Sequence, residues 1–309
     1  MRICSLLPSA PELLCALGLQ HSLVGVTHEC DHPPEVRDLP AVTRSLIPAG
    51  ATGAEIESLV RASIHEHRSL YRLDIERLEQ LAPDLIVTQE LCDVCAVNYD
   101  EVLEAARILR GPRRVISLEP MSLADVLAQL GILGRETDRV DEAKQVRQAL
   151  DQRLETVRTR VQDAERGRPR VYCMEWLDPP WAAGHWVPEM VEAAGGQEVL
   201  GAATGPSKRI HWSDVAEARP DVVILAPCGF DLEGTLREAS RIQWPAWWRG
   251  LPAVQAGQVY AVDASAYFSR PGPRVVDGVE ILAQILHPEV FGCSREGLDW
   301  RQVAQDLLH

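Results

Sequence analysis

Short apolar runs rich in β-branched residues alternate along the chain with longer segments whose apolar residues recur at helical spacing. This alternation predicts βαβ units around a mostly parallel sheet, because a buried parallel strand is apolar on both faces and the helix after it on one. Seven runs are predicted as strands, in a first and a second series: 2–6, 23–26, 85–88 and 115–117, then 170–174, 222–225 and 259–262.

A single long helix is predicted between the two strand series. Residues 140–166 are highly charged and contain no Gly or Pro. Their apolar side chains recur about every 3.6 residues, which is typical of one buried helical face. These side chains are Val146, Leu150, Leu154, Val157 and Val161. Gly167 and Pro169 then end the helix before the next strand.

The predicted fold class is α/β, with two Rossmann-like lobes joined by the long helix and a ligand cleft between the lobes. The N-terminal lobe is assigned to 1–137, the connecting helix to 138–167 and the C-terminal lobe to 168–309. A chain of 309 residues with 46% hydrophobic content is long enough for two moderate cores.

The charge balance narrows the class of partner. A formal net charge of −14 and a pI near 5.1 disfavour nucleic acid and anionic membranes, which select basic surfaces. No segment of the sequence has the run of about 18 consecutive apolar residues that a membrane-spanning helix needs. The first residues enter a strand-like run without the features of an export signal, and the eight cysteines are irregularly spaced. These observations predict a cytoplasmic protein with reduced thiols.

Candidate chemistry in the first lobe follows the predicted strands, where α/β sheets bind their ligands. Ser9 and Glu12 have the spacing of a capping box, and Pro11 suits the first helical turn. The next two strands are followed by possible metal ligands, which are His28, Cys30, His32, Cys92 and Cys95.

The Cys92-x-x-Cys95 motif has several interpretations. It could be half of a zinc site completed by Cys30, His28 or His32, a redox dithiol, or two small residues in a tight turn. A second Cys-x-x-Cys is absent from the sequence, and Asp93 would raise the thiol pKa values. The three interpretations stay open.

Aromatic residues in the second lobe stand among Pro and Gly in predicted loops. Exposed flat rings in loops favour a stacking surface for a planar ligand, with His and Arg side chains as polar anchors. The alternative is that individual tryptophans cap the core of the lobe. The aromatic and basic candidates are Trp176, Trp181, His185, Trp186, Trp212, Phe230, Tyr267 and Arg270. Trp244, Trp247 and Trp248 are instead predicted to pack a surface loop and are left out of the site.

The chain resembles the helical-backbone class of ABC-transporter substrate-binding proteins for vitamin B12 and iron siderophores, in particular its cobalamin-binding-like, unexported members. The resemblance runs in order along nearly the whole chain and includes the opening strand followed by Pro-Ser-x-x-Glu and the long middle helix. The matching segments are 3–14, 16–18, 24–27, 81–87, 195–196, 218–224 and 251–260.

The resemblance implies two lobes joined by a rigid helix and non-catalytic binding of a bulky ligand, most simply a corrinoid such as cobalamin or another metal chelate. It implies as partner an ABC-transporter permease or, for an unexported chain, a cytosolic acceptor protein. The predicted ligand-binding set is Ser5, Pro8, His28, Glu90, Cys92, Trp176, His185, Trp186, Trp212, Phe230, Tyr267 and Arg270.

Two other functions are alternatives to the binding of a ligand. The first is a metal-binding protein or metalloenzyme that uses Cys92 and Cys95 with the loop of His28, Cys30 and His32. The second is a nucleotide-using catalyst or a hydrolase, which is disfavoured because the sequence has no Gly-rich phosphate loop and no G-x-S-x-G elbow. The chain is therefore predicted not to be an enzyme.

Overall fold

The computed structural model divides the chain into two compact units, which are described separately. The first unit contains residues 1–119 and 128–147, and the second contains residues 120–127 and 148–309. The structure describes residues 1–48, 50–66, 70–89, 102, 113–165 and 167–304.

The first unit is built on a parallel sheet. Its strands, including a separate antiparallel pair formed by β3 and β4, are β1 Ile3–Ser5, β2 Leu23–Gly25, β3 Thr43–Ser45, β4 Tyr71–Leu73, β5 Leu85–Thr88 and β6 Arg114–Ser117. The sheet order is β2-β1-β5-β6, with every neighbouring pair parallel. Strand β5 is buried along its whole length, as its apolar sequence requires.

Within the described residues, the helices that lie wholly in the first unit include α1 Ala10–Ala16, α2 Gly53–Glu66 and α3 Ile75–Leu81, with 3-10 turns at Gln20–Ser22 and Pro34–Asp38. Two further helices contribute residues to both units, α4 Leu123–Glu136 and α5 Val140–Asp163. Leu150, Leu154 and Val157 of α5 are buried, as the period of its apolar residues predicts.

The capping box predicted at the start of α1 is wrong. Ser9 has helical backbone angles at the N-cap position and makes no side-chain cap, and its Oγ is buried without a hydrogen-bond partner. Pro11 does lie in the first turn, where its missing N–H costs nothing. A reciprocal capping arrangement forms at α2 instead, where the Thr52 N–H donates to Glu55 Oε2 at 2.7 Å and the Glu55 N–H to Thr52 Oγ1 at 3.3 Å.

The second unit has a larger, mixed sheet. Its strands are β7 Arg170–Trp176, β8 Trp181–Ala182, β9 Gln197–Glu198, β10 Lys208–Arg209, β11 Val222–Leu225, β12 Val259–Val262 and β13 Trp300–Gln302. The central strands β7, β11 and β12 are parallel neighbours. Short antiparallel strands flank them, with β8 and β10 on one side and β13 on the other.

Helices surround this sheet. They are α6 Val187–Ala193, α7 Trp212–Ala218, α8 Leu232–Ala239, α9 Pro252–Gln255, α10 Ala264–Tyr267, α11 Val275–Leu286 and α12 Pro288–Phe291, with a 3-10 turn at Trp248–Gly250. Helix α11 is strongly apolar and is buried over most of its length. None of the helices among the described residues has the length and hydropathy needed to cross a bilayer.

The two-lobed α/β fold predicted from the sequence is confirmed. Strands β5, β11 and β12 occupy the predicted residues, and the long helix begins at the predicted residue. The short strands β3, β4, β8, β9, β10 and β13 were not predicted. Two or three residues carry too little alternation to signal a strand, and their pairing depends on neighbours distant in sequence.

Candidate functional site

Three loops of the second unit meet at the carboxyl edge of its parallel strands. Trp176 ends β7, Phe230 lies in the loop after β11, and Tyr267 ends the short helix α10 after β12. The rings of Trp176 and Phe230 meet edge to face with centroids 5.6 Å apart. The Ser265 N–H donates to the Phe230 carbonyl at 3.0 Å, which joins the second loop to the third. We call Trp176, Phe230 and Tyr267 the strand-end group.

His185 lies in a fourth loop, between β8 and α6. Its backbone adopts a φ of +52°, in the left-handed region that non-glycine residues seldom occupy. Two backbone hydrogen bonds hold it there, since the His185 N–H donates to Gly205 at 2.6 Å and the Thr204 N–H donates to the His185 carbonyl at 3.1 Å. The imidazole is half-buried and tilted against Trp186 at 5.6 Å. Burial lowers the pKa of His185 and so favours the neutral ring.

A carboxylate supports the same loop. The Ser207 hydroxyl donates to Glu175 Oε2 at 2.7 Å, and the Gly184 N–H donates to Ser207 Oγ at 3.1 Å. Burial raises the pKa of Glu175, while its bonds with Ser207 and Gly184 lower it. A Cβ on Gly184 would collide with the backbone of Gly205 and Ser207, so the loop can approach this closely because the residue is glycine.

Tyr267 is held by a hydrogen bond at its hydroxyl and by arginine side chains over its ring. Its hydroxyl donates to Asp299 Oδ1 at 2.7 Å, and the Arg295 guanidinium stands 5.2 Å from its ring centroid. Arg295 also pairs with Asp299, with Nε 2.7 Å from Oδ2. Arg274 stands 5.8 Å from the same ring. The orientation of Tyr267 is therefore fixed in advance, and burial raises the pKa of its hydroxyl to about 12.

Arg270 lies three residues after Tyr267 and is half-buried. Burial raises the pKa of Asp263, and Arg270 and Arg274 lower it, so both cations lie near this carboxylate. Asp263 caps α10 by accepting from the Ala266 N–H at 2.8 Å. This corner of an acidic protein therefore presents cationic and aromatic side chains together.

Two rings predicted to contact the ligand pack within the second unit. Trp186 is buried, and its indole N–H donates to the Phe268 carbonyl at 2.8 Å, so it ties two loops together and offers no free stacking face. Trp212 is half-buried and packs edge-on against Trp244 and Trp248, with centroids 6.0 and 5.8 Å away. Both positions serve packing inside the second unit.

The tryptophans left out of the site also differ from expectation. Trp248 is fully buried and stacks on Trp244 with centroids 4.4 Å apart, so these residues belong to the hydrophobic core of the unit. Trp247 remains 38% exposed. The prediction that these tryptophans pack a surface loop is therefore wrong for Trp248, and it agrees with the exposure of Trp247. We call Trp212, Trp244, Trp247 and Trp248 the tryptophan cluster.

In the first unit, Ser5 and Pro8 follow β1. Ser5 is fully buried, and its hydroxyl donates to the Leu7 carbonyl at 2.7 Å, so this side chain stabilises the turn. Pro8 is half-buried at the same turn.

The predicted metal ligands of the first unit have other partners. The His28 Nδ1 lies 2.7 Å from Thr43 Oγ1, and its ring is 5.2 Å from that of Tyr71. Burial lowers the pKa of His28, and the nearby Glu29 raises it. Cys30 is buried, with its Sγ 3.1 Å from Thr27 Oγ1.

No metal-binding group emerges from these residues. Among 1–48, 50–66, 70–89 and the other described residues, no three His, Cys, Asp or Glu side chains are grouped as metal ligands. His32 is half-buried. The predicted positions Glu90, Cys92 and Cys95 lie outside the described residues.

Several residues of the site were missed at the sequence level. For Ser207 the available signal was its Gly-Pro-Ser segment, which is typical of a loop. For Glu175 it was the position next to Trp176, a predicted ligand contact. Asp299 and Arg295 gave no signal, because they reach Tyr267 from a segment about thirty residues further along the chain.

The family model described as "Periplasmic binding protein" matches residues 3–266. Among curated relatives, the vitamin B12-binding protein of Vibrio cholerae is 26% identical over 282 residues, which cover 90% of this chain and 86% of the relative. An uncharacterized ABC transporter substrate-binding lipoprotein of Bacillus subtilis is 22% identical over 94% of this chain and 81% of the relative.

Solved structures show the same fold. The periplasmic vitamin B12-binding protein of Vibrio cholerae has a TM-score of 0.65 at 25% identity, covering 92% of this chain and 96% of that one. A periplasmic heme-binding protein of Pseudomonas aeruginosa has a TM-score of 0.71 at 19% identity, covering 94% of this chain and 93% of that one. The family resemblance read from the sequence is thereby confirmed.

These matches settle two further predictions. The family is one of binding proteins, which confirms the prediction that the chain is a binding protein and not an enzyme. The cytoplasmic prediction is wrong, because the relatives are periplasmic proteins or lipoproteins. That prediction depended on the first residues of the chain, and a strand that begins at Ile3 shows where the fold starts without fixing a compartment.

Proposed function

The chain belongs to the periplasmic binding protein family, and we propose that within this family it binds a corrinoid of the vitamin B12 type. The observation that carries the proposal is the 26% identity with a vitamin B12-binding protein over 90% of the chain. The heme-binding proteins of the same fold are less than 25% identical and support the fold alone.

The chemistry of the second unit supports a flat, bulky ligand. The strand-end group offers aromatic surface whose orientation is set before binding, which limits the entropy lost when a ligand is held. The guanidinium groups of Arg270 and Arg274 lie near Tyr267 and Asp263, and the same unit holds the half-buried imidazole of His185; such groups suit the amide and phosphate groups of a corrinoid. The proposed contacts of the second unit are Trp176, His185, Phe230, Tyr267 and Arg270.

We further propose that the protein works outside the cytoplasm and delivers its ligand to an ABC-transporter permease. The support is the compartment and class of its relatives, which include a periplasmic protein and an ABC transporter substrate-binding lipoprotein. With a cytoplasmic location corrected, a cytosolic acceptor has no support. Copurification of a permease with the tagged chain from membranes of its own cell would test the partner.

Titration of the full-length chain with cyanocobalamin tests the ligand. Because the chain has eight tryptophans, quenching of their fluorescence reports binding, and calorimetry gives the stoichiometry. We expect one corrinoid per chain and a Kd on the order of 1 μM or tighter, which corresponds to about 8 kcal/mol. Hemin is the comparison ligand. Binding of hemin without cyanocobalamin would replace the corrinoid by heme, and binding of neither would overturn the proposal.

A further inference from the structure

A carboxylate of helix α11 holds arginines from two other parts of the second unit. Asp277 Oδ1 accepts from Arg153 Nη2 of α5 at 2.9 Å and lies 3.3 Å from Arg295 Nη1. Arg153 also donates to Glu280, one turn further along α11, with Nε 2.8 Å from Oε1 and Nη2 2.7 Å from Oε2. Because a guanidinium is a planar fork of fixed geometry, this contact with both carboxylates sets the direction of Asp277.

Arg295 extends the contact from Asp277 to the strand-end group. Its Nε lies 2.7 Å from Asp299 Oδ2, and its guanidinium stands 5.2 Å from the centroid of the Tyr267 ring. Asp299 Oδ1 accepts the hydroxyl of the same Tyr267 at 2.7 Å. The side chains of Asp277, Arg295 and Asp299 are each 25% exposed or less, so water screens their charges less than those of surface pairs. Contiguous charged contacts therefore join α5 to Tyr267.

The charge balance makes these contacts sensitive to Arg153. Asp277 and Glu280 are like charges three residues apart on α11, and such a pair is unfavourable unless a cation lies against both. In the structure Arg153 is that cation. Without it, the two carboxylates would attract Arg295 more strongly, and Arg295 would move toward α11 and away from the Tyr267 ring.

We propose that Arg153 is a positioning residue for Tyr267, and that the affinity of the strand-end group for its ligand depends on this charge of α5. Arg153 acts through Asp277 and Arg295, which keep a guanidinium over the ring before any ligand arrives. A ring held in its binding orientation loses less entropy when the ligand is bound. The part of the inference that concerns affinity rests on the proposed function, and the part that concerns the position of Tyr267 does not.

Fluorine NMR of the full-length chain labelled with 3-fluorotyrosine reports the position of Tyr267 without a ligand. The chain has five tyrosines, and the signal of Tyr267 is the one that is lost in Tyr267→Phe. In Arg153→Gln we expect this signal to shift by more than its line width, because the guanidinium over the ring moves. Arg153→Lys restores a cation and should return the signal toward its wild-type position.

The matched control is a second arginine of the same helix. Arg158 is 49% exposed, and its Nη1 lies 3.9 Å from Glu155 on α5 itself. Arg158→Gln removes the same charge from α5 and should leave the Tyr267 signal and ligand binding unchanged. A shift of equal size in Arg158→Gln would show a general effect of lost charge and would overturn the positioning role.

Calorimetric titration with cyanocobalamin tests the effect on affinity. Arg153→Gln should raise the Kd by about threefold or more, since a partly buried ion-pair network is weakened and Tyr267 is less well held. In the Tyr267→Ala background, Arg153→Gln should cause no further loss, because the residue that it positions is gone. The same loss in both backgrounds would assign Arg153 to the general stability of the second unit and overturn the inference.

The outcomes distinguish this inference from the proposed function. If the Tyr267 signal is unchanged in Arg153→Gln, the positioning role is overturned and the binding function stands. If wild-type protein binds neither cyanocobalamin nor hemin, the proposed function falls together with the effect on affinity, and the fluorine signal still decides whether Arg153 positions Tyr267.

Discussion

Two aromatic groups of the second unit look alike in sequence and differ in structure. The tryptophan cluster packs on itself, with ring centroids 4.4 to 6.3 Å apart and Trp248 fully buried. The strand-end group stays half-buried at the ends of parallel strands, where Trp176 contacts Phe230 and the Tyr267 hydroxyl donates to Asp299.

The difference teaches how to interpret rings that stand among Pro and Gly. Such surroundings indicate a loop, but they leave open whether the loop folds onto the core or out toward a ligand. Trp212 begins helix α7 and contacts Trp248, so its ring packs against the core. Trp176 ends a central strand at the edge where α/β sheets bind ligands. Topology therefore separates the two groups.

The largest expected effect is on stability, in the tryptophan cluster. Trp248→Ala should lower the free energy of unfolding by about 3 to 5 kcal/mol, because a fully buried ring leaves a cavity. Urea unfolding followed by circular dichroism measures the change. Trp247→Ala, at a ring 38% exposed, is the matched control and should cost less than about 1 kcal/mol. Equal losses in both variants would break the distinction between core and surface rings.

The next effect is on binding, in the strand-end group. Trp176→Ala should weaken cyanocobalamin binding by about tenfold or more, because the variant loses ring contact with the ligand and the edge-to-face support of Phe230. Calorimetric titration gives the Kd. Trp247→Ala again serves as the control and should leave the Kd unchanged. If the Kd is unchanged in Trp176→Ala and rises in Trp247→Ala, the ligand binds at the tryptophan cluster and not at the strand-end group.

A smaller effect tests how Tyr267 is positioned. Asp299→Asn keeps the shape of the side chain and removes its charge, which weakens both the bond from the Tyr267 hydroxyl and the pair with Arg295. We expect cyanocobalamin binding to weaken by about three- to tenfold, or about 1 kcal/mol, while Tyr267 itself stays in place. Asp221→Asn, at a carboxylate that bonds the Arg170 N–H far along β7, is the control. Matching losses in the two variants would show a general effect of lost charge.

The sequence predicts the fold further than it predicts the site. Buried parallel strands such as β5 and β11 are continuous apolar runs, and α5 has a regular period, so local pattern is sufficient for each. Short strands such as β8 depend on partners brought together by the tertiary fold, and local pattern misses them.

The site needed information that local pattern does not contain. Residue type and loop position predicted ligand contacts for His185 and Trp176, and equally for Trp186 and Ser5. In the structure, the Trp186 indole bonds another loop of the second unit and the Ser5 hydroxyl bonds a turn of the first. The capping box expected at Ser9 failed for a related reason. The spacing was correct, but the backbone of Ser9 is already helical and its hydroxyl cannot reach the free N–H groups.

The last expected effect is one of pH on stability, through a buried carboxylate that holds the turn 199–201 against β7 by hydrogen bonds, whereas apolar packing holds the tryptophan cluster. Glu198 accepts backbone N–H bonds from Cys173, Val199, Leu200 and Gly201, at 2.9 to 3.1 Å. Burial raises the pKa of Glu198 to about 7, although these four bonds lower it.

Because that pKa lies above the ordinary value of 4.5, the folded chain binds more protons than the unfolded chain between these two pH values. The stabilisation from Glu198 is therefore complete below pH 4.5 and is lost as the pH rises through about 7, with a slope of at most about 1.4 kcal/mol per pH unit. Urea unfolding from pH 5 to 8 should show this slope in wild type and in Trp247→Ala, and Glu198→Gln should lack it. A wild-type slope that persists in Glu198→Gln would assign the titration to another group, and a stability that rises with pH would reverse the sign.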